Sequence, residues 1–579
     1  MKLRLLLLTL LAFITAQFAF RLKMNTPSHV AASLEKYTLK KIIRCGPDWE
    51  KLSEWLEETD IPLIPGSGNY QWKISTKSDS AQIYFNQGIN MYYSFHIIES
   101  MASFKKGARF DPDCGMLQWA QALTYGPNIN DLSYTAFPDA LSAISKAIAL
   151  SASCTEKERM LIKAQSVRYS ADSSESRQKL NQLYVDAMKV VYTAYPEDAD
   201  VAALYADALM LQHPWDLWNN DGTPKPWTPL IRNVLEKSLT KTTNNPGTNH
   251  YYIHVMEPSP YADKALPNAD RLGKLTPGLS HTVHMPSHIY LRTGNYDKGV
   301  IVNENAVTSY KKTIPLYAPV TGADFLYIIH NLHMQTNNAM LGGRSAYSVQ
   351  SAMETVNRIP KDYLSISGAL GNYVQYVYMT PVLVNIRFGR WDALLNYPQP
   401  AAAQVYSTIL YHFGRGMAFS YKHTFTEASR ELALMKECMK DSSLRIPLSP
   451  WSAAIEGASV AEHLLKGSIH EQRKLYDEAI QDFRQADSIE ANMVYNEPRD
   501  WILSPKHYLG NAYLQAGQFA NAQKTFLNDL KNNKENGWAL HGLYQSLTGE
   551  KRKAEARKVL ERFKKAFEKT DVKIRGSVL

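Results

Sequence analysis

The chain has 579 residues, of which 45% are hydrophobic and 21% are charged, an ordinary globular balance that argues against disorder on a large scale. Its formal net charge of +9 comes from the two ends, because residues 1–44 and residues 551–579 are both strongly basic while the residues between them are net acidic. This distribution disfavours nucleic acid as a partner of the body of the protein.

The chain begins with a short basic segment and then an apolar run from Leu5 to Phe20. A basic start followed by a run of this length is typical of a secretory signal peptide, since a membrane span needs about 20 apolar residues. We therefore expect residues 1–20 to be a signal peptide and the protein to be secreted or extracytoplasmic. An uncleaved anchor, the only membrane attachment expected, is the first alternative, and a cytosolic protein with a buried first helix is the next.

The first helical repeat is predicted just after residue 80. Gly88, Phe104 and Gly107 fall where a tetratricopeptide unit of about 34 residues has its small and aromatic positions. A small residue at a helix crossing lets two helices approach closely, and the aromatic ring fills the space beside it. Further helices of such pairs are expected at Leu141–Leu150 and Ala199–Leu211.

Three more repeats are predicted near the C-terminus, where several positions agree in each unit. The marker residues are Gly467, Tyr476, Ala479, Phe483 and Ala486, then Gly510, Tyr513, Gly517, Phe519, Ala522 and Phe526, then Trp538, Gly542 and Ala554. The first glycine interval is longer than the second, so we place an insertion at Asn492–Asp500. The turn from Gly294 to Gly299 indicates a fifth unit in the middle of the chain.

These signals predict an all-α fold, a tetratricopeptide-like helical repeat solenoid that curls around a central pocket. The expected parts are a signal peptide or anchor (1–20), an N-terminal extension (21–79), a helical body with a histidine-rich centre (80–450), C-terminal repeats (451–570) and a tail (571–579). Strand signals are sparse throughout.

Several segments of the chain also resemble a known family. The runs Phe104–Asn130, His250–Pro258, His281–Arg292, His330–His333 and Asn496–Pro505 are similar to the landmark segments of a large, mainly bacterial family of tetratricopeptide-repeat proteins. The similarity spans most of the chain after residue 80. It implies the repeat fold and assigns no reaction. Where the family tends to have a histidine, this chain has Asn496, so that position supplies no imidazole here.

The histidines are concentrated in the middle of the chain. Seven of the sixteen lie between Asn249 and His333. They are His250, His254, His281, His284, His288, His330 and His333. Imidazoles at helical spacing, with a carboxylate one turn away, are the donors that a nitrogen-rich metal site needs. We therefore predict these seven side chains and Glu257 as metal ligands, with zinc, copper or iron as the metal.

Helical geometry is clearest in the first of these segments. A helix over Gly247–Glu257 turns by about 100° per residue, which places His250, His254 and Glu257 on one narrow stripe. His330 and His333 are spaced three apart, which is also compatible with one face of a helix.

The second histidine segment leaves two arrangements open. In an unbroken helix His281, His284 and His288 would share a face, but proline is tolerated only in the first turn of a helix. Alternatively, the helix begins at Pro286 and the first two histidines lie on the loop that approaches it.

Two functions are consistent with these residues. The first is a scaffold whose concave face binds a protein or peptide partner, as helical repeats do. The alternative is a metal-dependent hydrolase or oxidoreductase that acts on a small molecule in the central pocket. In that enzyme Glu257 is the catalytic residue, as a base beside the metal or as a ligand. Histidines that only pack and donate hydrogen bonds in a repeat interface would give the same pattern. The sequence favours the scaffold, because its signal for the repeats is stronger than its signal for catalysis.

Overall fold

The computed structural model describes residues 49–129, 138–172, 174–317, 324–448, 451–496 and 499–579. The proposed signal peptide at residues 1–20 lies outside these ranges, and so does Glu497 of the predicted insertion. Within them the chain forms α-helices, and no strand is present apart from isolated bridges that join Trp218 with Pro224 and Pro447 with Ala453. None of the helices in the described ranges is long and apolar enough to cross a membrane.

The helices of the first half run from the N-terminal extension to the start of the histidine-rich centre. They are α1 (Trp49–Glu58), α2 (Asp79–Tyr93), α3 (Ile97–Phe110), α4 (Gly115–Thr124), α5 (Pro138–Ala149), α6 (Glu156–Ser166), α7 (Arg177–Ala194), α8 (Ala199–Leu211) and α9 (Thr228–Lys241). The predicted helix at Ala199–Leu211 is α8, and the predicted helix at Leu141–Leu150 falls within α5 and the residue after it.

The histidine-rich centre is built from shorter and less regular helices. They are α10 (Pro246–Met256), α11 (Leu266–Leu275), α12 (Ser280–His284), α13 (Pro286–Thr293), α14 (Tyr296–Thr313), α15 (Asp324–Leu341), α16 (Ser345–Arg358), α17 (Ala369–Tyr378), α18 (Thr380–Arg387) and α19 (Trp391–Leu395). Short 3₁₀ turns occur at Ala262–Ala265 and Lys361–Ser365.

The C-terminal part consists of regular helix pairs. They are α20 (Val405–Tyr421) with α21 (Phe425–Cys438), α22 (Ala454–Gln472) with α23 (Tyr476–Asn492), α24 (Pro505–Gln515) with α25 (Phe519–Asn532), and α26 (Gly537–Gly549) with α27 (Lys553–Ala566). The gap between α23 and α24 contains most of the predicted insertion.

Glycine and phenylalanine hold the repeat pairs together as the sequence predicts. A β-carbon at Gly467 would lie 2.6 Å from the ring of Phe483, and one at Gly88 would lie 2.4 Å from the ring of Phe104. Contacts this short are not tolerated, so each ring fills the space that its glycine leaves open. The close helix crossings inferred from the repeat pattern are therefore confirmed.

The solenoid curls back on its own centre. The indole Nε1 of Trp538 on α26 donates to the carbonyl of Met340 at 2.9 Å, and Lys534 Nζ lies 2.6 Å from Asp263 Oδ1. In the C-terminal tail Asp571 accepts from the backbone N–H of Ser345 at 2.6 Å. The last repeats thus close over the histidine-rich helices, as the predicted curled solenoid requires.

Candidate metal centre

Helix α10 carries the first pair of histidines. The side chain of Asn245 caps it by accepting from the backbone N–H of Thr248 at 2.8 Å, and Pro246 occupies its first position. All of its residues are buried, because neighbouring helices cover it on every side. Nε2 of His250 and Nε2 of His254 lie 3.0 Å apart, which confirms that these two histidines share one stripe.

A third imidazole completes the first cluster. His281 on α12 places its Nε2 3.1 Å from Nε2 of His250. His250, His254 and His281 thus have one ring nitrogen each within 4.8 Å of the others. We call these three side chains the first triad.

The second triad consists of His284, His288 and His330. Nε2 of His284 lies 2.7 Å from Nε2 of His288 and 3.0 Å from Nε2 of His330. The three side chains come from α12, α13 and α15, and their nearest ring nitrogens also lie within 4.8 Å of one another.

The break at Pro286 separates the histidines of this segment. Pro286 begins α13, as one of the two arrangements open at the sequence level has it, but His281 and His284 lie on the short helix α12 and not on a loop. Neither arrangement predicts the outcome, in which His281 joins the first triad and His284 joins the second.

Glu257 lies between the two triads. Its Oε1 is 3.0 Å from Nδ1 of His254, and its Oε2 is 2.7 Å from Nδ1 of His288. Both ends of the carboxylate therefore face the outer nitrogens of ligand candidates, and the side chain is fully buried. This contact orients histidines of both triads at once.

We call His250 and His284 the central histidines, because the Nε2 of each lies near those of both other members of its triad. One further partner orients each of them. Nδ1 of His250 is 2.6 Å from the carbonyl oxygen of Tyr93, and Nδ1 of His284 is 2.6 Å from Oδ1 of Asn303. The amide nitrogen of Asn303 donates to the carbonyl of Gly299 at 2.7 Å, so its oxygen is the atom that faces the imidazole. Both Nδ1 atoms must therefore carry the proton and donate it.

These partners determine what the two triads can hold. When Nδ1 carries the only proton of a neutral imidazole, Nε2 presents a lone pair. In each triad at least two such lone pairs point at one another across about 3 Å, as between His250 and His254, an arrangement that is unfavourable without a positive charge between them. A transition-metal ion bound by the Nε2 atoms removes this conflict.

Each triad combines two buried histidines with one that is partly exposed. His250, His254, His284 and His288 are buried, whereas His281 and His330 are partly exposed. Desolvation in the packed surroundings, and then the imidazoles of His250 and His284, lower the pKa of His281 well below its usual value. His281 is therefore neutral near pH 7, as a ligand must be.

Aromatic side chains cover the first triad. The ring of Phe95 lies 4.5 Å from the ring of His250 and 5.2 Å from that of His281, measured between centroids. The indole of Trp215 meets the ring of His254 edge-on at 5.2 Å. Phe95 and Trp215 both have positive φ angles, 55° and 61°, an uncommon backbone conformation for large residues that recurs at functional sites.

Sequence reasoning did not find these contributors. Tyr93 acts through its carbonyl and is 157 residues from His250, so no local pattern connects them. Asn303 and Phe95 lie outside the histidine segments, and Trp215 lies in an irregular stretch between α8 and α9. The positive φ angles of Phe95 and Trp215 have no signature in the sequence.

His333 lies outside both triads. Its ring is buried against Tyr376, with 5.6 Å between the ring centroids, and neither of its nitrogens has a hydrogen-bond partner among the described residues. Burial, followed by the charge of His330, lowers the pKa of His333 to about 3. The geometry thus separates His333 from the other six predicted histidine ligands.

Comparison with known proteins supports the fold and assigns no activity. The family model for the tetratricopeptide repeat matches residues 463–493, which are parts of α22 and α23. No curated protein matches the chain.

Solved structures with a similar helical arrangement are distant. Human IFIT1, solved as a dimer with m7Gppp-AAAA, is 12% identical over 86% of this chain and 91% of its own, with a TM-score of 0.30. The Cut9–Hcn1 structure is 12% identical over 83% of this chain and 76% of the other, with a TM-score of 0.29. Yeast Tom70 is 11% identical over 84% and 91%, with a TM-score of 0.28. At these scores the likeness carries no inference about function, so the triads themselves must supply it.

Proposed function

We propose that the protein is a metalloprotein whose helical repeats hold two transition-metal ions, one in each triad. The observation that supports this is the set of Nδ1 contacts of His250, His254, His284 and His288, which leave Nε2 lone pairs facing one another in both triads. Two sites with the same composition, close enough to share one carboxylate, are unlike a chance grouping of core histidines.

The donor set favours a borderline metal. Three neutral imidazoles suit zinc, copper, iron or nickel, and a site with three protein nitrogens keeps a position open for water or a substrate. In such a position zinc supports hydrolysis, whereas copper or iron supports oxidation. The partly exposed His281 and His330 lie on the side from which a metal ion or a substrate would enter.

Glu257 couples the two proposed sites. A carboxylate that accepts Nδ1–H from a ligand histidine fixes the orientation of the ring and raises its basicity. Here one carboxylate serves His254 and His288, whose rings are 6.4 Å apart between centroids. We therefore assign to Glu257 the orienting role and not direct coordination.

Elemental analysis of the full chain tests the proposal. We expect about two equivalents of transition metal in the parent protein after reconstitution with zinc and desalting, and none above background in a His254→Ala/His288→Ala variant. His333→Ala is the matched control, because it removes a buried histidine of the same region that belongs to neither triad. Equal metal content in the parent and the double variant would refute the proposal, provided that circular dichroism shows both to be folded.

Partner binding remains a separate prediction. The repeats from α22 to α27 form the helical scaffold on which tetratricopeptide proteins bind protein or peptide partners. This reading is compatible with two metal sites in the centre, since the repeats enclose the triads and do not supply their ligands. It would be supported by specific retention of a partner that variants of the repeat surface lose and variants of the triads keep.

A further inference from the structure

A cavity that is partly open to solvent lies near the second triad. Arg292 follows His288 by four residues on α13, and Asn337 follows His330 by seven residues on α15. Spacings of four and seven residues keep side chains on one face of a helix. Arg292 and Asn337 both line the cavity, so it is reached by moving along the two histidine helices away from the triad.

The C-terminal repeats close the other side of the cavity. The segment between α23 and α24 contributes Tyr495, Arg499 and Trp501, and the end of α25 contributes Asn532. The cavity therefore lies between the histidine-rich centre and the regular repeats, a common position for a ligand site. Glu497 and Pro498 lie outside the described residues.

Two of the described cationic side chains that line the cavity are paired with carboxylates. Arg499 lies 2.5 Å from Glu490, and Lys506 lies 2.6 Å from Asp487. Arg292 is only 5% exposed, yet among the described residues no carboxylate lies within salt-bridge distance of it. Its sole hydrogen bond to that part of the chain runs from a terminal nitrogen to Oδ1 of Asn532 at 3.3 Å, and its Nε has no partner there.

Within the described part of the chain, the guanidinium of Arg292 has no carboxylate close enough to balance its charge. Burial lowers the pKa of Arg292 to about 10, and the neighbouring charge of Arg499 acts in the same direction, so Arg292 still carries its charge near pH 7. A buried charge without a counter-ion is strongly unfavourable. A ligand that brings a carboxylate to the guanidinium satisfies both its charge and its unpaired N–H groups.

We propose that this cavity binds an organic monocarboxylate, whose carboxylate pairs with Arg292 and whose apolar body packs against Met334, Leu341 and Trp501. The apolar lining supports the second part, because these three side chains face the same cavity. The carboxylates of Glu490 and Asp529 also line it, which disfavours a doubly charged phosphate. This site does not depend on the proposed metal ions, since none of the six triad histidines lines it.

Isothermal titration of the full chain, stripped of metal by a chelator, tests the site without interference from anions that bind metal. The probes are hexanoate and phenylacetate, with the neutral analogue phenylacetamide and inorganic phosphate as comparisons. We expect saturable binding of at least one carboxylate, and weaker binding of phenylacetamide and phosphate. Arg292→Met should raise the Kd of the carboxylate by about tenfold or more, because it removes a charge-assisted pair. Arg390→Met, an exposed arginine outside the cavity, should leave the Kd unchanged.

Three results would overturn the proposal. They are no saturable binding of either carboxylate to the parent, equal binding in Arg292→Met and Arg390→Met, and tighter binding of phosphate than of both carboxylates. If Arg292→Met does not fold, Asn337→Trp takes its place, because it fills the cavity without removing the charge. A carboxylate that binds a folded Asn337→Trp variant as tightly as the parent would equally contradict the site.

Discussion

The two triads have the same arrangement of histidines, but different groups orient them. Each has a central histidine, His250 or His284, whose Nε2 lies within about 3 Å of two others. In each triad a second histidine, His254 or His288, contacts Glu257. The third histidine, His281 or His330, is partly exposed. The backbone carbonyl of Tyr93 orients the centre of the first triad, whereas the side chain of Asn303 orients that of the second.

The first triad is therefore oriented by the backbone, and the second is oriented by one side chain. The first triad is oriented by backbone at the end of α2 and is covered by aromatic rings, so it depends on the packing of α2 against α10. The second takes its members from three helices, and its third histidine, His330, lies on α15. We therefore expect the first triad to resist point substitutions of its surroundings better than the second.

Removal of a central histidine should have the largest effect. His250→Ala eliminates the residue that approaches both of its partners, so the first triad should lose its ion while the second keeps its own. His284→Ala should give the reverse. Metal content would fall from about two equivalents to about one in each variant, measured by elemental analysis after zinc reconstitution. Loss of both ions from either variant would show that the triads act as one site and not as two.

Substitution of Glu257 should affect both triads less completely. The carbonyl oxygen of glutamine can accept from only one Nδ1–H, and its amide group then faces the other, so Glu257→Gln should weaken one triad and spare its neighbour. Glu257→Ala should weaken both. Loss of such a partner commonly reduces metal affinity by about 10–100-fold, which competition with a zinc chelator can measure. Two unchanged affinities in Glu257→Ala would remove the orienting role assigned to the carboxylate.

The repeats and the first half of the site could be predicted because their geometry is local. Gly467 and Phe483 belong to one helix pair, and a β-carbon at the glycine would lie 2.6 Å from the ring, so the packing follows from spacing alone. His250 and His254 share a stripe because both lie on one helix with a proline at its start. In each case a single helix or helix pair contains all of the information.

The remaining features depend on contacts between distant parts of the chain. The assignment of His281 and His284 to different triads requires the turn at Met285 and the approach of α15, neither of which has a local signature. The carbonyl of Tyr93 is invisible in any pattern of residue types, because every residue has one. The separation of His333 from His330 likewise depends on which side of α15 faces α12.

His333 offers a contrast with the triads, as a buried histidine whose ring nitrogens have no hydrogen-bond partner among the described residues. Its pKa of about 3 in the folded protein lies below the ordinary value of 6.5, so the unfolded chain takes up a proton first as the pH falls. The contribution of the neutral His333 to the free energy of unfolding is therefore present above pH 6.5 and is lost as the pH falls toward 3. Between pH 7 and pH 5 the loss amounts to about 2 kcal/mol for one such group.

A His333→Phe variant measures this contribution. Its free energy of unfolding, from urea titrations of metal-free protein, should fall by about 2 kcal/mol less than that of the parent between pH 7 and pH 5. The triad histidines are present in both proteins, so their titration cancels in the difference. Equal losses in the two proteins would mean that His333 takes up protons as readily in the folded chain as in the unfolded one.

The smallest effect expected is also the most direct test of how the triads differ. Asn303→Ala removes the acceptor for Nδ1 of His284, so this ring should lose its fixed orientation and the zinc affinity of the second triad should fall by about tenfold. The first triad should keep its affinity, because the acceptor of His250 is a backbone carbonyl that no substitution removes. Asn303→Asp restores an acceptor at the same place and should recover most of the loss. Competition titrations that resolve two zinc ions would show one step weakened and one unchanged, whereas equal weakening of both steps would mean that the two triads are not independently oriented.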